Sequence, residues 1–146
     1  MMNKDSRNHW LTILLFPLLG LVYLGICFMT YFGLFRIMET TVGRVFNVGF
    51  FRQMFALFLI ILYFIVLRTK SSDRIKAFLL IGPIGTLLIT IILTFYQNII
   101  LFVGLIVFVS LFLLYVFYRM KKPWYYTYAL ILAVLAALAY GWPRPY

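Results

Sequence analysis

Carboxylates are the scarcest functional group in this chain: Asp5, Glu39 and Asp73 are the only three in 146 residues, against 13 Lys and Arg, for a net charge of +10. Acid–base chemistry needs a positioned carboxylate or histidine, and all three carboxylates fall in expected tails or loops. His9 is the one histidine. Alone it supplies neither a bis-His haem, nor a His-rich metal site, nor an H-E-x-x-H pair. Cys27 is the one cysteine, which excludes an internal disulfide and carries no signal about redox compartment. The apolar run before it invites a lipidation reading, but Ile26 stands where such a signal places a small residue. No G-x-S-x-G, Walker A or dinucleotide fingerprint occurs, and neither Ser110 nor Cys27 has a base within its expected span. The expected set of catalytic residues, metals and cofactors is therefore empty. The reading leans away from an enzyme, and no nucleic-acid partner is expected.

What the chain lacks in charge it has in apolar surface. Hydrophobic residues make up 66% and charged residues 11%, whereas about 45–50% of an ordinary soluble domain is apolar. So few polar groups cannot cover a water-soluble globule of this length. The remaining class is an integral membrane protein of apolar helices, each about 20 residues long to cross a hydrocarbon core of about 30 Å. A closed β-barrel also satisfies its backbone in lipid, but its strands alternate apolar and polar, and Ile99–Tyr118 is apolar on every side.

The expected architecture is an all-α, polytopic bundle forming one transmembrane domain over 1–146, with no soluble domain. Its spans are Trp10–Phe32, Phe50–Leu67, Ala77–Tyr96, Ile99–Tyr118 and Trp124–Trp142. The first run exceeds the h-region of about 7–15 residues in a cleaved signal and no A-x-A site follows it, so it is read as a retained span. The second is the ambiguous one. Its uninterrupted apolar core, Met54–Leu67, has a length also typical of re-entrant segments, and extending it to Gly49 draws in Arg52 and Gln53. An arginine near the end of a span can snorkel to the headgroups. Five spans are favoured, with four plus a re-entrant segment as the alternative.

Trp and Tyr collect at membrane–water interfaces, and Trp10, Trp124 and Trp142 all sit at expected span ends. Cytoplasmic loops carry the excess of Lys and Arg. With five spans and the N-terminus inside, Lys4, Arg7, Arg68, Lys70, Arg74, Lys76, Arg119, Lys121 and Lys122 are inside, against four basic residues outside. A four-span arrangement divides them ten to three. Both place the Arg68–Lys76 and Arg119–Lys122 loops in the cytoplasm and the C-terminus outside, and the expected location is the cell membrane.

Three groups of residues stand out. Gly33–Gly49 mixes apolar residues with Arg36, Glu39 and Arg44, a composition that predicts a helix lying flat in the interface. Arg36, Arg44 and Arg52 are candidates for contact with an anion or headgroup, since guanidinium binds phosphate and carboxylate bidentately. Their eight-residue spacing turns about 80° per step on a helix, so they fan out. In the third span Gly82, Thr86, Thr90, Thr94 and Asn98 recur at every fourth position, a stripe that drifts only about 40° per step. It reads as a packing surface or as a polar wall along a path, with Pro83 expected to kink or unwind the helix. In the fifth span Ala129, Ala133, Ala137 and Gly141 form a small-residue stripe suited to close helix crossing.

No ionisable residue falls in the middle of a span, whereas ion-coupled carriers usually need one there. The first functional expectation is a small subunit or accessory of a larger membrane complex, in transport or envelope assembly, acting through helix packing. Its partners are the lipid bilayer and other membrane subunits or identical copies. The alternative is an oligomeric channel, carrier or lipid-handling protein with the threonine stripe along its path.

Overall fold

The computed structural model describes residues 4–43 and 47–141. Five α-helices follow one another: α1 Lys4–Val42, α2 Val48–Arg68, α3 Asp73–Phe95, α4 Ile99–Arg119 and α5 Trp124–Gly141. Each is long and apolar enough to cross a membrane. The expected spans and these helices coincide within a few residues at every end but those of α1; Trp142 lies outside the described residues.

The boundaries follow from capping chemistry. The side chains of Asn47 and Asn98 accept hydrogen bonds from the backbone N–H groups of Phe50 and Leu101, opening α2 and α4 as N-cap asparagines do. Asn98 therefore belongs to α4 and leaves the threonine stripe of α3, which ends at Thr94. Between α2 and α3, Lys76 donates to the carbonyl of Leu67 at 3.1 Å, satisfying one of the free carbonyls at the end of α2. Between α4 and α5, Lys121 takes a left-handed conformation (φ 49°). The Lys121 N–H bonds to the Tyr118 carbonyl and the Lys122 N–H to the Phe117 carbonyl, a Schellman closure.

Two expectations change here. Gly33 does not end the first helix: α1 runs 39 residues without interruption, about 58 Å, and stops only at Gly43, whose φ of +68° is the left-handed conformation glycine takes after a helix. Residues 33–42 therefore continue α1 and do not form a separate helix lying flat. A glycine inside a helix costs only about 1 kcal/mol against alanine, too little to break a run of good helix formers. The second change concerns Pro83. Helical structure passes through it unbroken from Asp73 to Phe95, so α3 is not unwound.

The helices alternate in direction. Arg52 at the start of α2 reaches Thr94 near the end of α3, while Lys76 at the start of α3 reaches Leu67 near the end of α2. α2 thus runs antiparallel beside α3 from one end to the other. The charged ends sort accordingly: Arg68, Lys70, Arg74, Lys76, Arg119, Lys121 and Lys122 gather at one end, and Arg36 and Arg52 lie toward the other.

At the centre stands α3, packed against all four other helices, with its most extensive interface on α5. Residues Leu80–Thr86 of α3 are buried without exception. On α5 the whole alanine stripe faces inward: Ala129, Ala133 and Ala137 are 0% exposed, and a Cβ added at Gly141 meets Ile92 of α3 at 2.9 Å. The small-residue stripe therefore finds its partner inside the same chain. On the other flank, α1 closes on α3 through Gly82, where an added Cβ meets the Tyr23 ring at 2.7 Å. Gly82→Ala is accordingly expected to push α1 away and to lower the thermal unfolding midpoint in detergent by a few degrees, as overpacking a tight contact does. A midpoint at or above that of the parent protein is the contrary result.

Candidate functional site

At the end of the bundle away from the lysines, a cavity of about 230 Å³ opens between α1, α2, α3 and the end of α5. Four aromatic rings hold α1 and α2 together beside it. Tyr31 lies 5.5 Å from Phe51 and 5.3 Å from Phe55, and Phe35 lies 6.3 Å from Phe51, centroid to centroid. Opposite them Phe28 stacks on Tyr140 at 4.8 Å. All of these rings but Phe51 line the cavity, and the separations lie within the range at which aromatic pairs attract.

Its one charged group and its threonines come from α2 and α3. Arg52 lies one turn inside the start of α2. Its Nη2 donates to Thr94 Oγ1 at 3.2 Å, and Thr94 in turn donates to the Thr90 carbonyl at 2.7 Å. The arginine is thereby fixed across the gap, with its charge at the cavity wall. Its Nε is buried and has no hydrogen-bond partner. A buried donor left unpaired costs about 1–3 kcal/mol, more when it carries charge. Among the described residues no carboxylate pairs with Arg52, and Asp73 is engaged at the other end of the bundle, where the Tyr126 hydroxyl donates to it at 3.5 Å.

The threonines divide by role. Thr86 Oγ1 donates back to the carbonyls of Gly82 and Pro83, the local bonding expected of threonine within a helix. Thr90 lines the cavity and forms no hydrogen bond through its hydroxyl to the described residues. The stripe read from the sequence is thus part packing surface and part cavity wall: Gly82 is closed by Tyr23, Thr86 is self-bonded, Thr90 faces the space, and Thr94 positions Arg52. Of the three candidate anion-binding arginines only Arg52 enters this site. Arg36 is exposed on α1, and Arg44 lies outside the described residues.

The outcome is a mostly apolar chamber whose lining holds one fixed guanidinium, the Thr90 hydroxyl and the phenols Tyr31 and Tyr140. Pockets that bind small molecules combine apolar walls with a few convergent polar groups in this way. Among the described residues no group of three or more His, Cys, Asp or Glu side chains is placed to hold a metal. The arrangement supports recognition of an anion attached to an apolar body. Sequence reasoning singled out Arg52 and Thr90 separately but missed their convergence. No protein-family model, curated protein or solved structure matches the chain.

Proposed function

We propose that this is a lipid-handling membrane protein whose cavity takes a single-tailed portion of an amphiphile, with the phosphate or carboxylate head on Arg52 and Thr90 and the tail among the aromatic walls. The observation that carries the reading is the Arg52 guanidinium, held by Thr94 with its Nε buried and unpartnered. An anion supplies the missing acceptor and the missing countercharge together, and charge-assisted bonds to guanidinium are among the stronger ones. The competing reading, a subunit that packs against a larger complex, drew on two small-residue stripes. The alanine stripe is covered within the chain, and the threonine stripe is divided between packing and the cavity.

The test uses two probes with the same tail. Dodecyl phosphate is expected to bind in preference to dodecyl maltoside, as read by native mass spectrometry of the protein in a mild uncharged detergent. Equal occupancy by the two removes the anion from the proposal.

The orientation we propose puts the lysine-rich end in the cytoplasm, following the excess of Lys and Arg there, and so opens the Arg52 cavity in the outer half of the cell membrane. Thr41 is exposed in the last turn of α1 and Asn47 is exposed in the following turn. Single cysteines at these positions, in a chain carrying Cys27→Ala, are expected to react with a membrane-impermeant maleimide on intact cells. Reaction at both only after the membrane is opened reverses the orientation.

A further inference from the structure

A second opening lies at the lysine-rich end. There α2 and α4 flank α3 without an extensive contact between them, leaving a groove of about 470 Å³ with α3 as its floor. Along α4 it extends from Met120 to Val109, about 16 Å at 1.5 Å per residue, which is the depth of one leaflet of a hydrocarbon core about 30 Å thick. Its walls are apolar side chains such as Phe64, Leu87 and Phe112.

At the mouth of this slot stands one cation. The Schellman closure of α4 brings Lys122 back over the groove, with its Nζ 5.1 Å from the centre of the Tyr126 ring. Lys122 is half-buried and lines the groove. Around the same end stand Arg68, Lys70, Arg74, Lys76, Arg119 and Lys121, with Asp73 as the one carboxylate among them. Lys76 and Arg119 already have acceptors, the Leu67 carbonyl and the Tyr115 hydroxyl. Arg74 lies over the Tyr125 ring. The Lys122 ammonium makes no hydrogen bond to the described residues, and its charge stands at the open end of the groove.

We propose that this groove is a binding site for an anionic glycerophospholipid, with one acyl chain in the slot and the headgroup phosphate on Lys122. The length of the slot, its apolar walls and the cation at its mouth are the features such a lipid matches, and basic pockets between spans on the cytoplasmic side bind anionic headgroups by the same electrostatics. The site is separate from the Arg52 cavity, on the opposite end of the bundle.

The full-length protein in mild detergent is titrated with dioleoyl phosphatidylglycerol or dioleoyl phosphatidylcholine, which share their chains, and bound lipid is counted by native mass spectrometry. Phosphatidylglycerol is expected to be retained in preference. Lys122→Gln lowers that preference about fivefold, in line with the loss of one interfacial charge, while Leu87→Trp, which fills the slot, lowers retention of both lipids. Arg36→Gln, at an exposed charge outside both cavities, changes neither, and the position of acyl-chain adducts separates lipid in this groove from lipid in the Arg52 cavity. A phosphatidylglycerol carrying a diazirine in one acyl chain provides a readout in the unaltered protein, with adducts expected on Phe64, Leu87 and Phe112. Equal retention of the two lipids, adducts spread evenly over the outer faces of α1 and α4, or cross-links joining two copies of the chain through the groove would each overturn the proposal.

Discussion

Ala133→Ile is expected to lower the thermal unfolding midpoint by about 5–10 °C and to leave the oligomeric state as it was. Ala133 is 0% exposed at the interface of α5 with α3. In lipid there is no hydrophobic drive holding two helices together, so their association depends on the close backbone approach that small residues allow. A β-branched side chain at this position forces the helices apart, and overpacking of this kind costs about 1–3 kcal/mol, which in a chain of this size corresponds to the stated shift. Ala139→Ile, on an exposed position of the same helix, is the control and should leave the midpoint within about a degree or two. Ala137→Ile should resemble Ala133→Ile, and the pair should fall short of the sum, because neighbours one turn apart share partners. An unchanged midpoint with loss of a co-purifying protein would return the stripe to an intermolecular role.

Helix number and type were legible because the apolar runs are long and the interruptions short. The boundaries that were misjudged all turn on single polar or flexible residues. Gly33 and Gly43 are alike by composition, yet only Gly43 is followed within five residues by the asparagine that opens α2. That cap was the available signal for the turn. Asn98 fitted the four-residue spacing of the α3 stripe but also preceded a long apolar run, and its capping role prevailed. The alanine stripe was visible as a surface for close approach, but periodicity carries no information about which helix approaches. That the partner is α3 follows from topology, because α3 stands between all the others.

The site was legible in its parts and not in its assembly, although some of the assembly was within reach. A short turn between α2 and α3 sets facing residue numbers to sum to about 141. Arg52 is thereby placed opposite the neighbourhood of Ile89 and Thr90, and its length carries it one turn further to Thr94. The hairpin alone therefore pointed the guanidinium at the threonine stripe. What it could not reveal is the space between them, which depends on how the aromatic cluster of Tyr31, Phe35, Phe51 and Phe55 spaces α1 from α2.

Arg52→Met is expected to have opposite effects on stability and on binding. In the free protein the guanidinium has one hydrogen bond, to Thr94, and a buried Nε without a partner. Breaking the first costs little, since hydrogen bonds between helices in membranes average about 0.6 kcal/mol. Removing the second relieves a desolvation cost that is larger. The unliganded variant should therefore unfold at the same temperature as the parent protein or somewhat higher. Its response to dodecyl phosphate should nonetheless be lost. A ligand that binds only the folded state raises the unfolding midpoint in proportion to RT ln(1 + [L]/Kd), and removing a charge-assisted contact worth about 1.5–3 kcal/mol weakens binding at least tenfold. Arg52→Lys keeps the charge but not the planar fork, and should fall between the two. An arginine retained only to tie α2 to α3 has the reverse signature: its replacement lowers the midpoint of the free protein and leaves the shift produced by dodecyl phosphate intact.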